Sequence, residues 1–220
     1  MTVYLISGQA ADRRLFENIP FPASVTVKHL QWIEPLKRET LQQYCRRLSE
    51  QVNNRENCIL IGVSLGGIVA VELNQIINPI FIILISSVSN KRELPPQIKF
   101  CRLLHLQRLV PAPLFKWHNP LVNWIFGAKT TGEKKLLRFY FRRVTANYMK
   151  WATDVIVNWK NTSRPGNLFH IQGTADRIFP HSYTKADALI SGGTHFMVHN
   201  RADEISKLIS EQIMLVQKNL

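Results

Sequence analysis

Ser64 stands at the centre of Gly62-Val63-Ser64-Leu65-Gly66, after the apolar run Cys58-Ile59-Leu60-Ile61 and before Gly67-Ile68-Val69-Ala70. Apolar residues before the motif and small residues after it predict a buried strand that turns sharply into a helix. Such a turn raises the Ser64 hydroxyl above the strand end and leaves no room for side chains at the flanking glycines. A serine hydroxyl is a weak nucleophile at neutral pH, so the motif calls for a histidine base and a carboxylate to orient it. Two later loops carry these residue types: Gly173-Thr174-Ala175-Asp176-Arg177-Ile178-Phe179-Pro180 and Gly192-Gly193-Thr194-His195-Phe196. Each follows a predicted strand, which puts Asp176 and His195 where an open parallel sheet keeps its active site. Plainer readings stand beside these: Ser64 as a helix N-cap, Asp176 as a turn residue, and His195 as a solvated loop histidine with His199 as a near competitor.

Other chemistries find less support. A dinucleotide fingerprint would need glycine at Ser64 and an acid about 20 residues on, where Ser86 and Ser87 stand. No Gly-Lys-Ser/Thr triplet offers a phosphate-binding loop. His29, His105, His118, His170 and His181 lack ligand spacing, and His195 and His199 lack the glutamate of a metalloprotease helix, so neither metal nor cofactor is expected. Cys45, Cys58 and Cys101 are widely spaced and odd in number, which suggests neither disulfides nor a Cys-x-x-Cys site and fits a reducing, cytoplasmic setting. Residues 1–7 have no basic n-region and read as a first strand rather than a signal peptide. The longest apolar run, residues 80–85, is too short to span a bilayer.

The elements that must position these residues follow from hydrophobic periodicity. Strands are expected at residues 3–6, 25–30, 59–63, 80–85, 168–171 and 188–190, alternating with helices at 39–51, 67–77 and 201–217. The run Ile80-Phe81-Ile82-Ile83-Leu84-Ile85 shows no polar alternation, as expected of a strand covered on both faces. The pattern predicts an α/β domain with a mostly parallel sheet of about six strands. For the last helix, Asn200 is the expected N-cap, and Ile205, Leu208, Ile209, Ile213 and Val216 form its apolar stripe. Between residues 90 and 160 the strand signal vanishes. Amphipathic helices are expected there, separated at Pro95-Pro96, Pro111-Ala112-Pro113, Pro120 and Gly132.

On these motifs, and over nearly its whole length, the sequence resembles the α/β-hydrolase superfamily. The order Ser64, Asp176, His195 is that of the family's triad. Gly62 to Gly66 is similar to its nucleophile elbow, Gly173 to Pro180 to its acid loop, and Gly192 to Phe196 to its histidine loop. Val3-Tyr4-Leu5-Ile6-Ser7-Gly8-Gln9-Ala10 resembles its oxyanion segment, with Ser7-Gly8 where many members have His-Gly. The family's other acid position follows the strand at residues 80–85, where Ser86-Ser87-Val88-Ser89 offers no carboxylate.

The resemblance implies an α/β-hydrolase fold with its core in residues 1–89 and 161–220 and a helical cap, or lid, at 90–160. Larger members have eight strands, and this sequence starts at what would be their third. It also implies a serine hydrolase that cleaves a carboxylic ester or thioester through an acyl-enzyme. His195 would take the Ser64 proton, Asp176 would hold the imidazole, and the backbone N–H groups of Leu65 and Gln9 would bind the oxyanion, worth about 3 to 4 kcal/mol per donor. The alternative is a non-catalytic receptor or pseudoenzyme that keeps the elbow for structure. Trp117, Trp124, Phe126, Phe139, Tyr140, Phe141 and Trp151 suit either an acyl pocket or packed core.

The charge is uneven. The 220 residues carry 28 Lys and Arg against 15 Asp and Glu, a net of +13. Residues 91–160 hold 14 of the basic residues against Glu93, Glu133 and Asp154, a net of +11, so the rest is nearly neutral. No helix-turn-helix, zinc-finger or RNA-recognition signature is present, which argues against nucleic acid as the partner. A basic cap over an ester or thioester site suits an anionic lipid surface or an acidic carrier.

Overall fold

In the computed structural model, which describes residues 1–53 and 57–219, six strands form one all-parallel sheet: β1 (Thr2–Ile6), β2 (Thr26–His29), β3 (Cys58–Val63), β4 (Phe81–Ile85), β5 (Leu168–Gly173) and β6 (Ala188–Ile190), ordered β2-β1-β3-β4-β5-β6. All six expected strands are present, and each boundary lies within two residues of expectation. The chain runs from β1 outward to β2 and returns to the other side of β1 as β3. The direction of winding therefore reverses between β1 and β3, which opens a crevice at their carboxyl ends.

Burial explains the apolar runs. Ile82 to Ile85 and Ile59 to Ile61 are fully buried, so the central strands are covered on both faces. Helix α1 (Leu41–Leu48) begins at Thr40, whose hydroxyl accepts the Gln43 amide while the Gln43 side chain accepts the Thr40 amide, a reciprocal cap. The end of the expected 39–51 helix tightens into a 3-10 turn at Ser49–Gln51. Helix α2 (Leu65–Ile77) packs between α1 and strands β3 and β4.

After β4 come α3 (Pro96–Leu103), α4 (Leu106–Leu109), α5 (Pro120–Phe126), α6 (Thr131–Arg143) and α7 (Ala146–Val157), before β5 resumes the sheet. Pro96 and Pro120 are first residues of their helices, where a missing N–H is harmless. Gly132 does not separate helices: it lies in the first turn of α6, which the Thr130–Glu133 capping box holds together.

The chain ends in α8 (Met197–Asn200) and α9 (Ala202–Lys218). Asn200 does not cap α9. It closes α8, and the N-cap position falls to Arg201, whose side chain makes no capping bond. The expected stripe does bury: Ile205, Ile209 and Ile213 are inaccessible, with Leu208 and Val216 packed beside them.

The segment between β4 and β5 is anchored to α2 and to the loop before α1 by polar bonds, the first of them buried. Trp159 Nε1 donates to Glu72 Oε1 on α2 at 2.7 Å, and Trp151 Nε1 donates to the Glu39 carbonyl at 2.8 Å. No helix among the described residues is long and apolar enough to cross a membrane.

Candidate active site

Ser64 occupies the single position between β3 and α2, with φ 54° and ψ −121°. That left-handed backbone is costly for a non-glycine residue and survives because the surroundings over-determine it. The Ser64 amide donates to the Ile85 carbonyl, and its own carbonyl accepts the Gly67 amide at 2.9 Å and the Ser87 hydroxyl at 2.7 Å. The motif glycines are explained by contact distances. A Cβ on Gly62 would lie 2.3 Å from the Gly66 carbonyl oxygen, and one on Gly66 would lie 2.2 Å from the Ile6 oxygen and 2.4 Å from the Ser7 oxygen. Ser64 does not act as an N-cap, since its side chain makes no capping bond to α2.

Asp176 follows β5, His195 follows β6, and the fold brings both to Ser64. The Ser64 hydroxyl lies 2.9 Å from His195 Nε2, and His195 Nδ1 lies 2.9 Å from Asp176 Oδ2. The carboxylate accepts, so Nδ1 carries the proton and Nε2 is free to accept from the serine. The side chains of His195 and Asp176 are buried, at 3% and 0% exposure. Asp176 Oδ1 accepts the amides of Ile178 and Phe179 at 2.8 and 2.9 Å, so the acid is held as well as placed. The turn geometry of that loop and the orientation of the imidazole are thus served by one side chain. The rings of Phe126 and Phe179 flank the imidazole at 5.4 and 5.7 Å. His199 is not in this cluster; it pairs with Glu17 at 3.6 Å.

Behind the acid lies a second layer that the residue order did not reveal. Gln172 Nε2 donates to Asp176 Oδ2 at 3.0 Å and to the Phe179 carbonyl at 2.6 Å. Its Oε1 must then accept from His170 Nε2, 3.1 Å away. His170 is fully buried, and burial lowers its pKa from the usual 6.5. A neutral His170 with its proton on Nε2 satisfies this arrangement. Only the alternation of β5, which points residues 170 and 172 to the same side, could have hinted at the pair.

The two residues expected to bind an oxyanion follow different strands, Leu65 after β3 and Ser64, Gln9 after β1. Leu65 is the first residue of α2, where an N–H has no partner within the helix. Gln9 follows β1 and Gly8, and a Cβ on Gly8 would lie 3.5 Å from the Ser64 Cβ. The Gln9 amide donates to no backbone carbonyl among the described residues, while its side-chain amide is tied to the Met149 carbonyl on α7.

A cavity of about 400 Å³ opens on Ser64 and His195. Its walls are mostly apolar and come largely from the segment between β4 and β5, including Ile98, Leu106, Phe115, Leu137 and Ile156. The aromatic residues of that segment meet different fates. Phe126 and Tyr140 line the cavity, and Phe141 packs edge-on against Phe126. Trp151 packs tilted against Tyr44, and Phe139 lies at the surface beneath Arg14. Trp117 and Trp124 are exposed. Helix α5 also seats the histidine loop: the Phe196 amide donates to the Phe126 carbonyl at 3.1 Å, and Gly127 packs against Thr194.

An all-parallel sheet flanked by helices, with a polar cluster at its carboxyl edge beneath an apolar cavity, has the architecture of an α/β hydrolase. A sequence profile of the alpha/beta hydrolase family matches residues 20–208, and the chain belongs to that family. Among solved structures, it is similar to a hydrolase from Oleispira antarctica, with 18% identity, a TM-score of 0.76, and coverage of 98% of this chain and 90% of that one. A thermophilic esterase from Thermogutta terrifontis is 15% identical at TM-score 0.69, covering 98% and 90%. ClbQ of the colibactin NRPS/PKS pathway is 14% identical at TM-score 0.69, covering 100% and 99%. No curated protein matches the sequence significantly.

Proposed function

We propose that this hydrolase is a serine enzyme that cleaves a carboxylic ester or thioester through Ser64, His195 and Asp176. The observation that carries the reading is the unbroken line from the Ser64 hydroxyl through His195 to Asp176 at the floor of an apolar cavity. His195 takes the serine proton as Ser64 attacks the acyl carbonyl, and Asp176 stabilises the imidazolium that forms. The amides of Leu65 and Gln9 receive the oxyanion. Collapse of the tetrahedral intermediate expels the alcohol or thiol, protonated by His195, and leaves an acyl-serine that water hydrolyses by the same proton path.

In this reading residues 90–160 are a cap on the core formed by residues 1–89 and 161–220, and the apolar walls accept the acyl chain. The esterase from Thermogutta terrifontis among the similar structures supports an ester substrate. The basic cap suits an anionic partner, and the three dispersed cysteines suit the cytoplasm. The test is a fluorophosphonate probe together with an ester and thioester panel. Wild-type protein labels and turns over, and Ser64→Ala does neither. Labelling that survives the substitution overturns the assignment, and tight ligand binding without turnover by the wild type returns the receptor reading.

A further inference from the structure

The outer surface of the segment between β4 and β5 has a feature that the reaction does not use. Leu103, Leu109, Leu114, Trp117, Leu121 and Trp124 are all more than half exposed, reaching 77% at Leu109. They fall within residues 100–124, which contain Arg102, Arg108 and Lys116 and no aspartate or glutamate; Arg108 pairs with Asp154 of α7 at 3.7 Å, and Arg102 and Lys116 have no acidic partner among the described residues. α3, α4 and the 3-10 turn at Ala112–Lys116 all pack on α7, which sets Leu103, Leu109 and Leu114 on neighbouring elements with Trp117 directly after the turn, while Trp124 lies beneath the Arg177 guanidinium at 4.3 Å. Soluble surfaces rarely gather large apolar side chains in this way.

The same short elements face two ways. Ile98, Leu106 and Phe115 line the cavity, while Leu103, Leu109 and Leu114, a few residues along, face solvent. The wall between the cavity and the outside is therefore a single layer of helices. Lys116 reaches across to the Arg142 carbonyl at the end of α6, which ties this layer to a helix with Lys134, Lys135, Arg138 and Arg142 exposed.

We infer that this face docks on an anionic membrane surface. Exposed leucine and tryptophan among an excess of arginine and lysine is the composition that inserts at the headgroup boundary and is held there by anionic lipid. An acidic carrier protein would satisfy the cations but give the leucines and tryptophans no apolar phase to enter. A second copy of the chain would bring two segments of net charge +11 together. Docking sets the cavity wall against the bilayer, so the substrate is an ester drawn from lipid. That consequence rests on the hydrolase reading above, whereas the docking itself does not.

The experiment uses the Ser64→Ala chain, so that no turnover intervenes. It is sedimented with vesicles of phosphatidylcholine alone and of phosphatidylcholine mixed equally with phosphatidylglycerol. Binding is expected to the mixed vesicles, weakened by salt, and to fall about tenfold or more in a Leu103→Gln, Leu109→Gln, Trp117→Gln variant. None of these three residues lines the cavity. In the Ser64-containing background the same triple variant should therefore keep its unfolding midpoint and its activity on a soluble short-chain ester. Absence of binding to mixed vesicles, binding that the triple variant retains in full, or salt-sensitive binding to an acidic carrier without vesicle binding each overturns the inference. Failure of turnover by the wild type overturns the hydrolase reading and leaves the vesicle result standing.

Discussion

Replacing Gly66 by alanine tests whether the close approach of β1 to α2 is what aligns the site. A Cβ at that position would lie 2.2 Å from the Ile6 oxygen and 2.4 Å from the Ser7 oxygen, both of them backbone atoms at the end of β1. Ordinary carbon–oxygen contact begins near 3.4 Å, so strand and helix must part by about 1 Å. Overpacking of this kind costs roughly 1 to 3 kcal/mol, and two backbone neighbours that cannot rotate away place Gly66→Ala at the upper end. The catalytic effect is expected to be larger. The same movement shifts Gly8 and Gln9 relative to Ser64, and a displacement of about 1 Å lowers rates by about 100-fold. Urea unfolding gives the first number, and kcat/KM on a short-chain p-nitrophenyl ester gives the second. Gly132→Ala is the control: its Cβ would meet nothing nearer than the Thr130 hydroxyl at 3.9 Å, so a gain of up to about 1 kcal/mol is expected in α6. A Gly66→Ala protein with parental stability and full activity would refute the reasoning.

Two further outcomes follow from the polar cluster behind Ser64. Asp176→Asn should fold, since the amide oxygen can still accept the Ile178 and Phe179 amides. It should lower kcat by about 10⁴ because the preferred tautomer of His195 is lost; a fall of less than tenfold would remove Asp176 from the mechanism. For pH dependence, burial lowers the pKa of His170 in the folded chain, so below the unfolded value of 6.5 the unfolded state binds more protons. Stability from this residue is complete above 6.5 and declines as pH falls through it. His29, whose pKa burial also lowers, adds in the same direction. His170→Gln, which keeps a donor for Gln172, should flatten the acid limb of a stability profile measured by urea unfolding, and an unchanged slope would show that His170 is already protonated in the fold.

Much of this fold is legible along the chain because its signals are local. Ile80 to Ile85 must lie in a covered strand, since any exposed face would set those side chains in water. The glycines around Ser64 mark a turn too tight for a Cβ, and the measured clashes at Gly62 and Gly66 give that its cause. Local signals also misled. A glycine at 132 reads as a break, yet the Thr130–Glu133 capping box and the packing of Leu137 and Tyr140 hold α6 across it. Asn200 is a good capping residue by type, but the α8 turn had already taken it.

By itself the sequence determined the α/β alternation, the tight strand-to-helix turn at Ser64, and the loops that hold Asp176 and His195, because each depends on neighbours within a few residues. Only the tertiary structure decided that three residues spread over 132 positions meet at 2.9 Å, that Gln172 and His170 stand behind the acid, and which aromatic side chains face cavity, core or water. Those outcomes depend on the order of strands in the sheet and on how α3 to α7 pack over it. Such contacts join residues far apart in the chain, and no local pattern of polarity or size encodes them.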